Sequence, residues 1–179
     1  MANILKGKKI AFLTENGFEE EELTRPRKAF EQEGATTHII SPGHDKIKAW
    51  DHTDWGGEYK VDVKLEDADP DDYDALVLPG GVLNPDKLRR SKQAVDFAKK
   101  FFDDGKLLAT ICHGAQTLIE AGILKDKKMT SYHAVKTDMK NAGANYVDQE
   151  VVQDKNLITS RKPDDIPVFN KAIIDYLSA

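Results

Sequence analysis

Residues 107–122 read LLATICHGAQTLIEAG. Leu107 to Ile111 is an apolar run without alternation, the pattern of a strand covered on both faces. It breaks at Cys112-His113-Gly114, and a helical segment follows from His113 to Ala121, closed by Gly122. A residue on a strand-to-helix bend has the placement of a nucleophile elbow. Cys112 is the only cysteine in the chain. Two readings compete: a buried, inert thiol that behaves as a small hydrophobe, and a nucleophile. The helix amino end favours thiolate, and His113 adds a candidate base. Adjacent residues on such a bend point different ways, so His113 needs another group to orient it.

The same strand-then-helix rhythm extends in both directions. Lys8–Thr14, Ala35–Ser41, Val61–Leu65 and Tyr73–Pro79 read as strands. Thr24 is the expected cap of a first helix, with Pro26 in its first turn and Gly34 as its stop. Residues 86–104 read as helix in two stretches, the second capped by Ser91, with Leu88, Val95, Ala98 and Phe102 as an apolar stripe. Residues 42–60 read as irregular or hairpin-like. Glu150–Val152 and Leu157–Ser160 flank a turn, and Asp164–Leu177 reads as a closing helix. Residues 1–179 are expected to form one α/β domain around a doubly wound, mostly parallel sheet. Ligands of such sheets sit beyond the carboxyl ends of the strands, at the switch point.

Composition bounds the partners. The net charge is −5, with 32% charged and 40% hydrophobic residues. There is no basic stripe with interleaved aromatics, so no specific nucleic-acid partner is expected. No apolar run is long enough to span a bilayer, and the first residues carry no leader-like apolar region. A single cysteine forms no intrachain disulfide. The expected setting is the cytoplasm, without membrane association.

Other loops could serve a thiol at Cys112. Gly80-Gly81 ends a strand; it is either a plain turn or a place where backbone N–H groups approach a substrate oxygen. The run Glu19–Glu22 is ordinarily a solvated face, unless one carboxyl is aimed at the thiol. His38 reads as structural. His44 and His52 fall in the irregular stretch, and Trp50 and Trp55 are expected to pack. No His/Cys spacing matches a zinc motif, and no phosphate-binding glycine loop is present. No metal and no cofactor are expected.

Thr110-Ile111-Cys112-His113-Gly114, Leu78-Pro79-Gly80-Gly81 and Phe18-Glu19-Glu20 resemble, in order, the marks of the ThiJ/PfpI superfamily. The branch most resembled is that of the PfpI intracellular proteases and bacterial general stress proteins, through Thr130-Ser131-Tyr132, residues 141–144, 148–152 and Thr159-Ser160-Arg161. The resemblance implies a flavodoxin-like sandwich related to class I glutamine amidotransferase domains. It implies Cys112 as nucleophile, Glu19 as the glutamate that hydrogen-bonds the sulfur, and His113 as the adjacent histidine. In PfpI-type proteases a carboxylate from a neighbouring subunit orients that histidine; the corresponding residue here is Asp86, in a loop one residue longer. Gly80, Gly81 and the His113 amide would form the oxyanion hole, with Tyr132 near the site. Family activities comprise peptidase, glyoxalase and deglycase chemistry. The implied protein is a cysteine-dependent stress-response enzyme acting on reactive carbonyls, early glycation adducts or peptides. It would associate with itself as a homodimer, or alternatively as a hexamer. The competing class is a non-catalytic redox sensor or chaperone-like protein that uses oxidation of Cys112.

Overall fold

The computed structural model describes residues 3–179; the first two residues of the expected domain and leader-free start lie outside that range. Strand β1 (Lys9–Leu13) is followed by the two-residue β2 (Phe18–Glu19) and helix α1 (Glu20–Gln32). Next come β3 (Thr36–Ser41), the hairpin β4 (Lys46–Asp51) and β5 (Asp54–Lys60), and β6 (Val63–Lys64). Strand β7 (Ala75–Leu78) leads into α2 (Leu83–Leu88) and α3 (Lys92–Asp103), and β8 (Leu107–Ile111) into α4 (Gln116–Glu120). The remainder is β9 (Lys128–Met129), α5 (Lys136–Asn141), β10 (Asn145–Tyr146), β11 (Val151–Asp154), β12 (Leu157–Ser160) and α6 (Ile166–Ser178).

The main sheet has the order β11-β12-β8-β7-β1-β3-β6. All its pairings are parallel except β11 with β12 at one edge. This is the flavodoxin-like α/β arrangement. The central strands are apolar on both sides because both sides are covered. Ile10, Phe12, Val77, Ala109 and Ile111 pack toward Leu23 and Phe30 of α1 and Phe169 and Ile173 of α6. Ala11, Leu13, Leu76, Leu78 and Leu108 pack toward Phe97 and Phe101 of α3, Leu118 of α4 and Met139 of α5. Each such fully buried large side chain contributes about 2 kcal/mol.

The order in which strands are added reverses at β1: β3 lies on one side of it and β7 on the other. The carboxyl ends of β1, β7 and β8 therefore open onto one crevice at the switch point. A second small sheet, β2-β4-β5, builds a wall beside it, with Glu19 paired to Trp50. The stretch expected to be irregular or hairpin-like is this hairpin.

The first helix departs from expectation. It begins at Glu20, so the glutamates form its first turn and Pro26 lies inside it. Thr24 is not the cap; its hydroxyl donates to the Glu20 carbonyl at 2.9 Å. The carboxylates of Glu20 and Glu21 at the positive end of the helix dipole favour this earlier start, and β2 feeds straight into it. Ser91 does cap α3, its Oγ accepting the Ala94 N–H at 3.2 Å. Among the described residues, no helix is long and apolar enough to cross a membrane.

Candidate active site

Cys112 stands where β8 ends, with φ of 62°. A non-glycine residue in this left-handed region is strained by about 1 kcal/mol or more, and the strain turns the side chain out of the strand line. Gly114, two residues on, makes the bend possible: a Cβ there would lie 2.6 Å from the Leu78 carbonyl and 2.8 Å from that of Pro79. The thiol is 7% exposed and lines a cleft of about 650 Å³.

The carboxyl that meets this thiol is Glu22, not Glu19. Starting α1 at Glu20 puts Glu22, Leu23, Pro26 and Phe30 on the buried stripe of the helix, at the spacing that faces a core. Glu22 is fully buried. One oxygen, Oε2, accepts the Gly80 N–H at 2.7 Å. The other, Oε1, is sealed from solvent without a hydrogen-bond partner, and the Cys112 thiol is the polar side chain beside the carboxyl. Burial pushes the Glu22 pKa up to about 8, so the carboxyl holds its proton at neutral pH. Burial also raises the Cys112 pKa, and a charge on Glu22 would raise it further. A protonated Glu22 removes that repulsion and can donate to a thiolate. The amides of His113 and Gly81 also approach the sulfur and favour its charged form.

Glu19 is elsewhere. Its backbone pairs in β2, and its Oε1 accepts the His52 N–H at 3.3 Å and lies 3.6 Å from His52 Nδ1. It lines the cleft mouth beside Trp50. No sequence signal local to Glu19 separates it from Glu22; the separation comes from helix phase.

His113 is brought to the thiol, with Nδ1 3.2 Å from Sγ. Its ring stacks on Tyr132 at a centroid distance of 4.8 Å, and Tyr132 in turn donates its N–H to the Cys112 carbonyl at 3.2 Å. Burial first, and then the nearby His133, lower the His113 pKa. The ring is therefore neutral at pH 7 and able to accept a proton. Asp86 is exposed on α2 and does not line the cleft; within one chain it is not brought to His113.

The glycine loop divides its labour. The Gly80 N–H is engaged by Glu22 and is not free for a substrate oxygen, which corrects the expected oxyanion hole. Gly80 serves by lacking a side chain: a Cβ there would sit 2.6 Å from Glu22 Oε2 and 2.8 Å from Cys112 Cβ. Gly81 has φ of 78°, and a Cβ would lie 2.7 Å from the Glu19 nitrogen and 3.1 Å from the Phe18 carbonyl carbon. Gly81→Ala is expected to destabilise the fold by about 3 kcal/mol or more, from left-handed strain plus a backbone clash. A urea midpoint unchanged from wild type would refute this account of the loop.

Asn84 escaped the sequence reading. It is fully buried; Oδ1 accepts the Glu15 N–H at 2.7 Å, and Nδ2 donates to the carbonyls of Pro79 and Gly80 at 2.9 and 3.1 Å. One side chain thus ties the loops after β1 and β7 together. Of the two tryptophans, for which the sequence favours packing over lining a site, Trp50 lines the cleft, while Trp55 packs edge-on against it at 5.5 Å. The pairing of β2 with β4 also places Glu19, Asp51 and His52 with ligating atoms within 4.8 Å of one another, the group among the described residues that could hold a cation. Asp51 and His52 are exposed at the rim.

Residues 8–176 match the DJ-1/PfpI family. The chain belongs to the DJ-1/PfpI family. Deglycase PfpI of Pyrococcus furiosus is 42% identical over 169 residues, which cover 94% of this chain and 99% of that protein. General stress protein 18 of Bacillus subtilis is 44% identical over 174 residues, covering 96% and 98%. Among solved structures, a two-domain protein from Anabaena variabilis with DJ-1/ThiJ/PfpI-like and ferritin-like domains superposes with a TM-score of 0.89 at 37% identity. That match covers 95% of this chain and about half (48%) of the two-domain one. Within the DJ-1/PfpI family, then, the bend at Cys112 and the glycine loop lie on the matched segment, as does the buried Glu22.

Proposed function

We propose that this DJ-1/PfpI chain is a cysteine-dependent enzyme that converts reactive carbonyls or early glycation adducts. The observation that carries this reading is the grouping of Cys112, a neutral His113 at 3.2 Å and a buried, protonated Glu22 in one open cleft. The names of the relatives, a deglycase and a general stress protein, agree with it.

Methylglyoxal is one such carbonyl. The Cys112 proton passes to His113 Nδ1. The sulfur pair adds to the aldehyde carbon, and the C=O π pair moves to oxygen. The alkoxide takes the proton back from His113, giving a hemithioacetal. A proton then shifts from the former aldehyde carbon to the adjacent ketone carbon through an enediol, which leaves a lactoyl thioester. Water cleaves the thioester, lactate departs and Cys112 is restored as thiol. One water is consumed, and the oxidation of one carbon balances the reduction of its neighbour. The amides of Gly81 and His113 supply donors for the developing negative charge. With a glycated amine or thiol as substrate, the Cys112 sulfur replaces that group on the same carbon, the amine or thiol leaves with the proton drawn from Cys112, and the resulting hemithioacetal reacts as above.

Tyr132 holds the His113 ring by stacking, and a second copy of the chain would add Asp86 to orient it. The proposed protein is therefore a homodimer or hexamer, and peptide cleavage by the same thiol is the finer alternative. A reducing compartment such as the cytoplasm suits the free thiol. Methylglyoxal, a glycated peptide and a fluorogenic peptide, assayed side by side, separate these activities. The expectation is carbonyl conversion by wild type. Peptide cleavage without carbonyl conversion would replace the reading with a peptidase. Asp86→Ala at a concentration where the protein is oligomeric should slow turnover about tenfold; unaltered rates, or full activity of a monomer by size exclusion, would remove Asp86 from the site.

A second reading draws on the same buried carboxyl beside the thiol: peroxide oxidises Cys112 to sulfinic acid, which Glu22 would hold, and the protein acts as a redox sensor or chaperone. Mass spectrometry after mild peroxide, with no carbonyl turnover by the reduced protein, would favour it.

A further inference from the structure

The glutamate that sequence singled out is left without the role expected of it. Glu19 nonetheless lines the cleft that Cys112 lines. Its side chain is 12% exposed, so its carboxyl is largely shielded from bulk water. Among the described residues no lysine or arginine lies within ion-pair distance of it. Its one basic neighbour is His52, whose side chain is 55% exposed and whose Nε2 is turned to Glu21 at 3.0 Å. Asp51 adds a third carboxylate at the same rim.

The wall next to Glu19 is aromatic. Trp50 donates its indole N–H to the His52 carbonyl at 3.0 Å, which fixes the ring where it lines the cleft. Its partner Trp55 already has the Lys48 ammonium 5.6 Å from its ring centroid. Val82 and Leu83, exposed at 63% and 40%, add apolar surface to the lining. Deeper in, fully buried Glu22 presents an oxygen with no hydrogen-bond partner. The cleft thus holds two glutamates and no lysine or arginine. A carboxylate beside an aromatic face in a partly desolvated cleft recognises cations. An anionic substrate finds no lysine or arginine in the lining, and His52 at the rim is already paired with Glu21.

Building on the reading of Cys112 as a nucleophile, we propose that Glu19 and Trp50 form a cation-recognising subsite. It selects carbonyl substrates that carry an ammonium or guanidinium group beyond the reacting carbon. Glu19 acts here as a specificity residue, holding the substrate's charged end while its carbonyl lies against the thiol.

Two aryl glyoxals test this: phenylglyoxal with a para trimethylammoniomethyl group, and its uncharged neopentyl isostere. At low salt wild type is expected to favour the cationic probe about tenfold in kcat/KM over the neutral one. Glu19→Gln should bring that ratio to within about twofold of unity, and Trp50→Leu should lower it in the same direction. Salt at 0.5 M should shrink the wild-type preference. Equal ratios in wild type and Glu19→Gln, with turnover dependent on Cys112, overturn the subsite and leave the catalytic reading standing. A readout without turnover covers the other case. Benzyltrimethylammonium should slow alkylation of Cys112 by iodoacetamide in wild type and several-fold less in Glu19→Gln. Protection in the absence of any glyoxal turnover would support the subsite while the catalytic reading fails. No protection, or equal protection in both proteins, overturns the subsite.

Discussion

Cys112→Ser is expected to lower carbonyl turnover by about 10³-fold or more while leaving the fold intact. Serine is slightly smaller than cysteine and adopts the same left-handed backbone at similar cost, so the bend after β8 survives. The chemistry does not. A hydroxyl is a far weaker acid than a thiol, and His113, neutral and 3.2 Å away, cannot generate an alkoxide without the further orientation and oxyanion donors that serine enzymes use. Because Cys112 is the only cysteine, no second thiol can substitute. Methylglyoxal consumption by the purified variant, with circular dichroism to confirm folding, measures this. Residual activity near the wild-type level would remove the thiol from the mechanism.

Glu22 carries the largest expected pH-dependent effect on stability. Its carboxyl titrates near 4.5 in an ordinary setting and near 8 in the fold. Below about pH 4.5 both folded and unfolded chains hold the proton, and the contribution is fully present. As pH rises toward 8 the unfolded chain releases the proton first, so folding loses stability across that window. The loss amounts to about 3 kcal/mol between pH 5 and 8. Glu22→Gln keeps the shape, and its amide oxygen can accept the Gly80 N–H, but it has no proton to lose. Urea unfolding at several pH values should show wild type falling relative to Glu22→Gln by about that amount. Parallel stability profiles would mean that Glu22 does not carry a buried proton.

Much of the fold was readable because its signals are local. The apolar runs of β1, β7, β8 and β12 and the Ser91 cap each sit within a few residues of sequence. The bend at Cys112 was readable for the same reason. The choice between Glu19 and Glu22 was not, because Thr24 and Pro26 imitate a helix start. Placing the start at Glu20 instead shows Glu22 in phase with Pro26 and Phe30, and that spacing was the missed signal. Trp50 and His52 depend on the pairing of β2 with β4 across some thirty residues, which no local pattern announces. Asn84 looks like a turn residue; its burial follows from the loops after β1 and β7 meeting at the switch point.

The placement of Glu22 against the thiol is the central claim, and the alkylation rate of Cys112 as a function of pH tests it most directly. With one cysteine in the chain, iodoacetamide reports on that sulfur alone. Glutamine at position 22 cannot acquire the charge that opposes the thiolate, so Glu22→Gln should move the profile to lower pH by about one unit or more. Glu19→Gln should leave it within about half a unit of wild type. A profile shifted by Glu19→Gln and untouched by Glu22→Gln would contradict the account.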